Sequence, residues 1–215
     1  MASLVRLYLL AYNFSQLAAW SVVLLLALAA LSHGGVAACF PAVNRLLTAA
    51  QLASGLETLH AALGLVRSQV APNVVQFVGR THCLLLLRAT PAYFSSPFAA
   101  SLAVVWSVAD VVRYAFLLAS TLTAPSPPPK FLRSLRYTAF LPLYPAGAAA
   151  EWALLYLARP SAVASGMWSF SLPNALNAGF SYPSFLLSVL CIYPPLFAGQ
   201  YAHMLKQRAA KLKET

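Results

Sequence analysis

The sequence predicts an all-α membrane protein, a six-transmembrane-helix bundle with both termini in the cytosol. Of its 215 residues 60% are hydrophobic and only 8% are charged, and its mean hydropathy is +0.72. A soluble domain has about a quarter charged residues, and no polar stretch here is long enough to build one. Because backbone groups inside a bilayer must be hydrogen-bonded within the protein, the apolar stretches are expected to form helices.

Six apolar stretches match the roughly 20-residue helix that crosses the hydrocarbon core. We predict spans at about residues 12–32, 48–67, 70–90, 98–119, 137–157 and 180–202, in one integral membrane domain over residues 1–215. The first is too long in its apolar part for a typical signal peptide, so it is predicted to be retained. A proline-rich linker at 123–133 is expected to connect the fourth and fifth spans in the cytosol.

Basic residues predict the orientation of the spans. Nine would lie on the side of the N-terminus and three, Arg45, Arg88 and Arg159, on the opposite side. The net charge of +10 is therefore explained mostly by basic residues that orient the spans in the membrane. Nucleic-acid binding is not expected, because no polar domain carries the charge. The C-terminal KLKET resembles a dilysine signal for retrieval to the endoplasmic reticulum, which requires a cytosolic tail.

The sequence contains no motif that predicts a cofactor or a metal. The four histidines lack metal-ligand spacing, and no Gly-rich nucleotide-binding or nucleophile-elbow motif is present. Cys39 is expected in the first lumenal loop, where a single cysteine has no partner for a disulfide within the chain.

Three of the four acidic residues fall inside predicted spans, namely Glu57, Asp110 and Glu151, together with Arg80 and Arg113. An ionisable group at mid-bilayer costs roughly 2.5–3.5 kcal/mol on insertion scales, so such residues face the protein interior. Asp110 and Arg113 share a helix face, and Glu57 is expected to pair with Arg80. These four either join helices or contact and orient a substrate. Glu151 has no basic partner at helical spacing in its own span and is predicted to be the spare carboxylate.

Tyr144 precedes Glu151 by seven residues in LYPAGAAAE. Two helical turns place both side chains on one face about 10 Å apart along the axis. Pro145 tends to kink the helix, and Gly147 with three alanines would leave a groove open to a slender ligand. A phenol and a carboxyl in an apolar site suit proton abstraction beside a carbonyl coupled to loss of a β-hydroxyl. The alternative for Tyr144 is a tyrosine of the interfacial belt.

Several segments, in order along the chain, resemble one family. They are YLLAYNFSQLAAW, LETLHAALGLVRS, QFVGR, WSVADVVRY, LRYTAFLPLYPAGAAAE and YAHMLKQR. Together they resemble the very-long-chain (3R)-3-hydroxyacyl-CoA dehydratases of the endoplasmic reticulum membrane, a family also called protein tyrosine phosphatase-like. The resemblance implies six spans, and a catalytic pair that falls on Tyr144 and Glu151.

The reaction implied is dehydration of a (3R)-3-hydroxyacyl-CoA to the trans-2-enoyl-CoA, the third step of microsomal fatty-acid elongation, without a cofactor. We expect Glu151 to take the C2 proton and Tyr144 to assist departure of the hydroxyl, and the reverse assignment stays open. Arg67, Arg133 and Arg136 are candidates to attract the CoA phosphates. The implied partners are the condensing enzyme, the ketoacyl reductase and the enoyl reductase of the same cycle.

The chain departs from the family pattern in two places. It has Asp110 where the family has glutamate, and the run THCLLLL lacks an expected tryptophan. One alternative reading is therefore a non-catalytic membrane scaffold of the same fold. A phosphatase is not expected, because Cys83 and Arg88 are one residue too close for that motif and the leucines between them cannot wrap a phosphate. A transporter is disfavoured because the charges follow no continuous path along one helix.

Overall fold

The computed structural model describes residues 3–175 and 177–213. These residues form eight α-helices and one 3-10 turn, Pro91–Tyr93. The helices are α1 Ser3–Gly34, α2 Val36–Ala53, α3 Leu56–Ala62, α4 Val70–Ala89, α5 Pro97–Thr123, α6 Lys130–Arg136, α7 Phe140–Ser165 and α8 Tyr182–Lys213. The predicted all-α class is confirmed, since the only strand-like feature in the described residues is an isolated bridge between Phe170 and Phe180. The predicted retrieval signal KLKET lies at 211–215, outside the residues whose side chains are described.

Five segments among the described residues are long and apolar enough to cross a membrane. They are Leu4–Gly34, Val36–Ala62, Val70–Ala89, Pro97–Thr123 and Tyr182–Ala210. The protein is therefore a multi-pass membrane protein. Helix α7 has 26 residues but is not among the five. It contains two prolines and two charged residues, Glu151 and Arg159, which lower its hydropathy.

The second membrane segment begins at Val36, whereas the sequence predicted a span from residue 48. The residues expected in a lumenal loop are helical, and Cys39, Phe40 and Val43 are fully buried. Placing Cys39 in a loop was therefore wrong. Apolar side chains recur there at spacings of three and four residues, which is the pattern of a helix that buries one face.

The bundle is organised around α5, which packs against α1, α2 and α7, while α8 packs on α7. Helices in a bilayer associate through close packing, since lipid tails are as apolar as leucine. Small residues therefore line the α5–α7 contact. A Cβ added to Gly147 would lie 3.4 Å from Cγ1 of Val105 and 4.0 Å from Cδ1 of Trp106, so α7 approaches α5 closely at this glycine.

Prolines in α7 and α8 tie the two helices together. Proline lacks an N–H, so the carbonyl four residues earlier loses its donor in the helix. Pro145 frees the carbonyl of Leu141, which accepts from the Tyr201 hydroxyl of α8 at 3.2 Å. Pro194 frees the carbonyl of Leu190, which accepts from the Trp152 indole of α7 at 3.0 Å. The two bonds run in opposite directions and fix the antiparallel register of α7 and α8.

Candidate active site

Glu151 lies near the middle of α7, between α5 and α8. Its Oε1 accepts a hydrogen bond from Nε1 of Trp106 at 2.9 Å, and its Oε2 accepts one from the Tyr193 hydroxyl at 2.8 Å. Within residues 3–175 and 177–213, no basic side chain lies within ion-pair distance of Glu151. The half-buried carboxyl is thus the spare one, as predicted, and two neutral donors hold it.

Tyr144 packs against α8 two turns before Glu151. Its ring stacks on Phe197 with centroids 5.1 Å apart and on Tyr201 with centroids 6.1 Å apart, at interplanar angles of 12° and 2°. Its hydroxyl donates to Oε1 of Gln200 at 3.2 Å. Tyr144 and Glu151 therefore face the same neighbouring helix, but the hydroxyl partner of Tyr144 is an amide and not the carboxyl.

The groove predicted along Gly147 is wrong. Gly147 and Ala150 are buried, and α5 lies where an open strip was expected. Ala148 keeps the face between Tyr144 and Glu151 slim and is only partly buried. Helix geometry explains the difference, because Gly147 and Ala150 are rotated to one flank of the Tyr144–Glu151 stripe whereas Ala148 lies beside it.

Helix α8 contributes an aromatic row that sequence reasoning missed. Tyr193, Phe197 and Tyr201 are spaced four residues apart, so they share one face of α8. That face meets Glu151 at Tyr193 and Tyr144 at Phe197 and Tyr201. The four-residue spacing of the aromatics was the available signal, but only the packing shows which helix they meet.

The other charged residues form one cluster. Arg80 donates to Oδ2 of Asp110 at 2.7 Å, and the side chains are 10% and 3% exposed. Arg113 pairs with Glu57, whose other oxygen accepts from the Tyr114 hydroxyl. Arg113 also lies 3.7 Å from Oδ1 of Asp110, as its spacing predicted. The expected Glu57–Arg80 pair is wrong: Arg80 pairs with Asp110, because α5 carries both Asp110 and Arg113 to the groups on α3 and α4.

Trp106 connects this cluster to Glu151. The Arg80 guanidinium lies 4.1 Å from the centroid of the Trp106 ring, within the range of a cation–π contact. The edge of the same indole donates to Glu151. One side chain therefore contacts the ion cluster with its face and the spare carboxyl with its N–H. The sequence drew attention to WSVADVVRY, but not to this role of its tryptophan.

Comparison with known proteins identifies the family. Residues 51–214 match the family described as "Protein tyrosine phosphatase-like protein, PTPLA". The chain is 36% identical to the very-long-chain (3R)-3-hydroxyacyl-CoA dehydratase PASTICCINO 2 of Arabidopsis thaliana, over 98% of this chain and 95% of that protein. The chain belongs to this family. It is also 35% identical to the dehydratase hpo-8 of Caenorhabditis elegans, over 95% and 94% of the two chains.

The chain is also 32% identical to the very-long-chain (3R)-3-hydroxyacyl-CoA dehydratase 2 of Homo sapiens, over 97% of this chain and 82% of that protein. The family predicted from the motifs is therefore confirmed, and the matches include the plant proteins PASTICCINO 2 and PASTICCINO 2A. No solved structure matches the chain.

The phosphatase part of the PTPLA family name finds no support at Cys83. This cysteine is buried within α4. The leucines that follow it are helical, so their amides are occupied by the helix and cannot wrap a phosphate. Among the described residues, no three His, Cys, Asp or Glu side chains come together as metal ligands would.

Proposed function

We propose that this PTPLA-family protein removes water from a very-long-chain (3R)-3-hydroxyacyl-CoA to give the trans-2-enoyl-CoA, the third step of fatty-acid elongation. The family relatives that cover nearly all of the chain carry the name of this activity. The observation that carries the proposal is the state of Glu151: the other two acidic groups within the bundle are neutralised by arginines, whereas this carboxyl meets only neutral donors. Among the acidic residues that the structure describes, Glu151 is the one that remains available for proton transfer.

In the proposed reaction Glu151 takes a proton from C2 of the substrate. The electrons of that C–H bond form the C2–C3 double bond, and the C3–O bond breaks. The leaving hydroxyl takes a proton from Tyr144 and departs as water. The phenolate left on Tyr144 regains its proton from Glu151 through the released water, so the phenol and the carboxylate are both restored. No cofactor is needed for this sequence.

The ion cluster beneath the site has a supporting role in this proposal. Asp110 lies within ion-pair distance of both arginines and so joins the two pairs into one cluster. The cluster is neutral as a group, because it contains two acidic and two basic residues: Glu57, Arg80, Asp110 and Arg113. We assign them to orienting the site through Trp106 and not to direct proton transfer. Arg67, Arg133 and Arg136 are proposed to attract the CoA phosphates at the cytosolic edge.

The proposal includes a topology and a location. Helix α7 would be the fifth span in chain order and would bring the total to six, since 26 residues at 1.5 Å each exceed the roughly 30 Å of the hydrocarbon core. The distribution of basic residues supports cytosolic positions for both termini. We place the protein in the endoplasmic reticulum membrane beside the condensing enzyme, the ketoacyl reductase and the enoyl reductase of the elongation cycle.

A direct assay tests the proposed function. Purified protein in lipid nanodiscs is given a long-chain 3-hydroxyacyl-CoA, and enoyl-CoA is measured for wild type, Glu151→Gln and Tyr144→Phe. Both variants are expected to lose about 10²-fold or more, the scale of general acid–base catalysis. Tyr156→Phe is the matched control, because Tyr156 is on the same helix and is exposed. Equal background product from all four proteins would instead favour a non-catalytic scaffold.

A further inference from the structure

We propose that Tyr193 is a positioning residue of this site, which together with Trp106 holds Glu151 as an ionised carboxylate ready to act as the base. The inference rests on the proposed function and names residues that its reaction requires beyond Tyr144 and Glu151. It starts from the two hydrogen bonds that meet at Glu151, 2.8 Å from Tyr193 and 2.9 Å from Trp106.

Both groups at these bonds can donate to Glu151 in its ionised form. An indole N–H can only donate, so Oε1 beside Trp106 has to be an acceptor. A phenol hydroxyl can donate or accept, and donating to Oε2 completes the binding of a carboxylate that accepts at both oxygens. Hydrogen bonds to the charged form of a carboxyl favour that form. Trp106 and Tyr193 thus stabilise the negative charge of Glu151, as an arginine does for each of the other two acidic residues of the bundle.

Both donors are themselves held in place. Trp106 is 4% exposed, and its ring packs against Arg80, whose charge is matched by Asp110. Tyr193 lies one turn after Leu190, whose carbonyl is bound by Trp152 of α7. The segment of α8 that carries Tyr193 is therefore fastened to the helix that carries Glu151.

The two phenols near Glu151 have different roles in this arrangement. Tyr193 binds the carboxyl directly, whereas the hydroxyl of Tyr144 donates to Gln200. Tyr193 therefore acts through Glu151, and Tyr144 stays available for the departing hydroxyl of the substrate. Removing each hydroxyl should change different kinetic properties.

The test compares Tyr193→Phe with Tyr144→Phe in nanodiscs across a range of pH. Without its phenol donor the carboxylate is less favoured, so Tyr193→Phe is expected to lower kcat by up to about tenfold on the acidic limb of the pH–rate profile, where the ionised fraction of Glu151 limits the rate. KM should change little, and the acidic limb of the pH–rate profile should move about one pH unit higher. Tyr144→Phe should lower kcat without moving that limb.

Tyr93→Phe is the matched control. It also removes a phenol that lies within hydrogen-bond distance of a residue of α7, Ser161 at 3.4 Å, away from Glu151. Its kcat and pH profile are expected to stay those of wild type. An acidic limb unmoved in Tyr193→Phe would overturn the inference, whether kcat falls or not, because a merely structural loss lowers activity at every pH.

An infrared measurement keeps this test independent of turnover. The difference spectrum between wild type and Glu151→Gln at neutral pH should contain a carboxylate band and no protonated-carboxyl band. In the Tyr193→Phe background the protonated band should appear at higher pH than with Tyr193 present. A protonated-carboxyl band that appears at the same pH in both backgrounds would overturn the inference. An inactive wild type with the expected bands would instead count against the proposed function alone.

Discussion

Replacing Asp110 by asparagine should destabilise the protein far more than replacing Glu57 by glutamine. Asp110 is 2% exposed and is the ion-pair partner of Arg80, and it also lies 3.7 Å from Arg113. Asp110→Asn therefore leaves Arg80 buried without a compensating charge. Glu57→Gln leaves Arg113 its contact with Asp110.

The structure sets the size of the difference. Removing one partner of a buried ion pair costs about 3–5 kcal/mol. The aromatic rings beside Arg80, Trp106 at 4.1 Å and Trp20 at 5.4 Å, offset part of this cost, since a desolvated cation–π contact contributes about 2 kcal/mol. We therefore expect a loss of about 3 kcal/mol for Asp110→Asn. Glu57→Gln weakens a charge-assisted hydrogen bond and should cost about 1.5 kcal/mol.

Thermal unfolding in detergent, followed by tryptophan fluorescence, measures these effects. One kcal/mol shifts Tm by about 2–4 °C in a chain of this size, so Asp110→Asn should lower it by about 6–12 °C. The double variant Arg80→Met with Asp110→Asn removes the buried cation that has lost its partner and should recover about 0.5–3 kcal/mol, the usual coupling between contacting residues. Equal losses for the two single variants, or no recovery in the double variant, would refute this reading of the cluster.

Two further predictions concern how α7 is held. Gly147→Ala should be tolerated, since its Cβ would lie at an ordinary contact distance of 3.4 Å from Val105. Gly147→Leu should overpack the contact with α5 and displace Trp106. We expect it to lower the free energy of unfolding by about 1–3 kcal/mol, measured by thermal unfolding. An unchanged Tm in the leucine variant would contradict the close approach. Trp152→Phe should cost about 0.6–1.7 kcal/mol, the range for hydrogen bonds between membrane helices, because it leaves the Leu190 carbonyl without its donor. Tyr156→Phe, at an exposed neighbour on α7, is the control for it and should unfold as wild type does.

Properties that depend on composition or on local spacing were predictable from the sequence. Low charge and long apolar stretches predicted membrane helices. The three-residue spacing of Asp110 and Arg113 predicted their contact, which the structure has at 3.7 Å. The isolation of Glu151 was also predictable, since its own span offers no basic residue within a turn.

Properties that depend on which helix faces which were not predictable. The spacing of Arg80 and Glu57 allowed a pair, but α5 brings Asp110 to Arg80 first. The small residues of α7 suggested an open groove, but a bare helix surface is equally suited to close packing, and α5 uses it. The four-residue spacing of Tyr193 and Phe197 marks a shared face of α8, but only the register of α7 and α8 reveals the contact of Tyr193 with Glu151.

The aspartate at position 110 was the departure that favoured a scaffold without catalysis. The shorter side chain does not open the cluster, because its oxygens reach Arg80 at 2.7 Å and Arg113 at 3.7 Å. Arg80 in turn lies against Trp106, and the N–H of Trp106 binds Glu151. The aspartate therefore leaves the contacts that position the Glu151 carboxyl in place. A scaffold would have no need to keep an unpaired carboxyl between two oriented donors in a bilayer, where burying a charge is costly. The retained contacts thus favour an active enzyme.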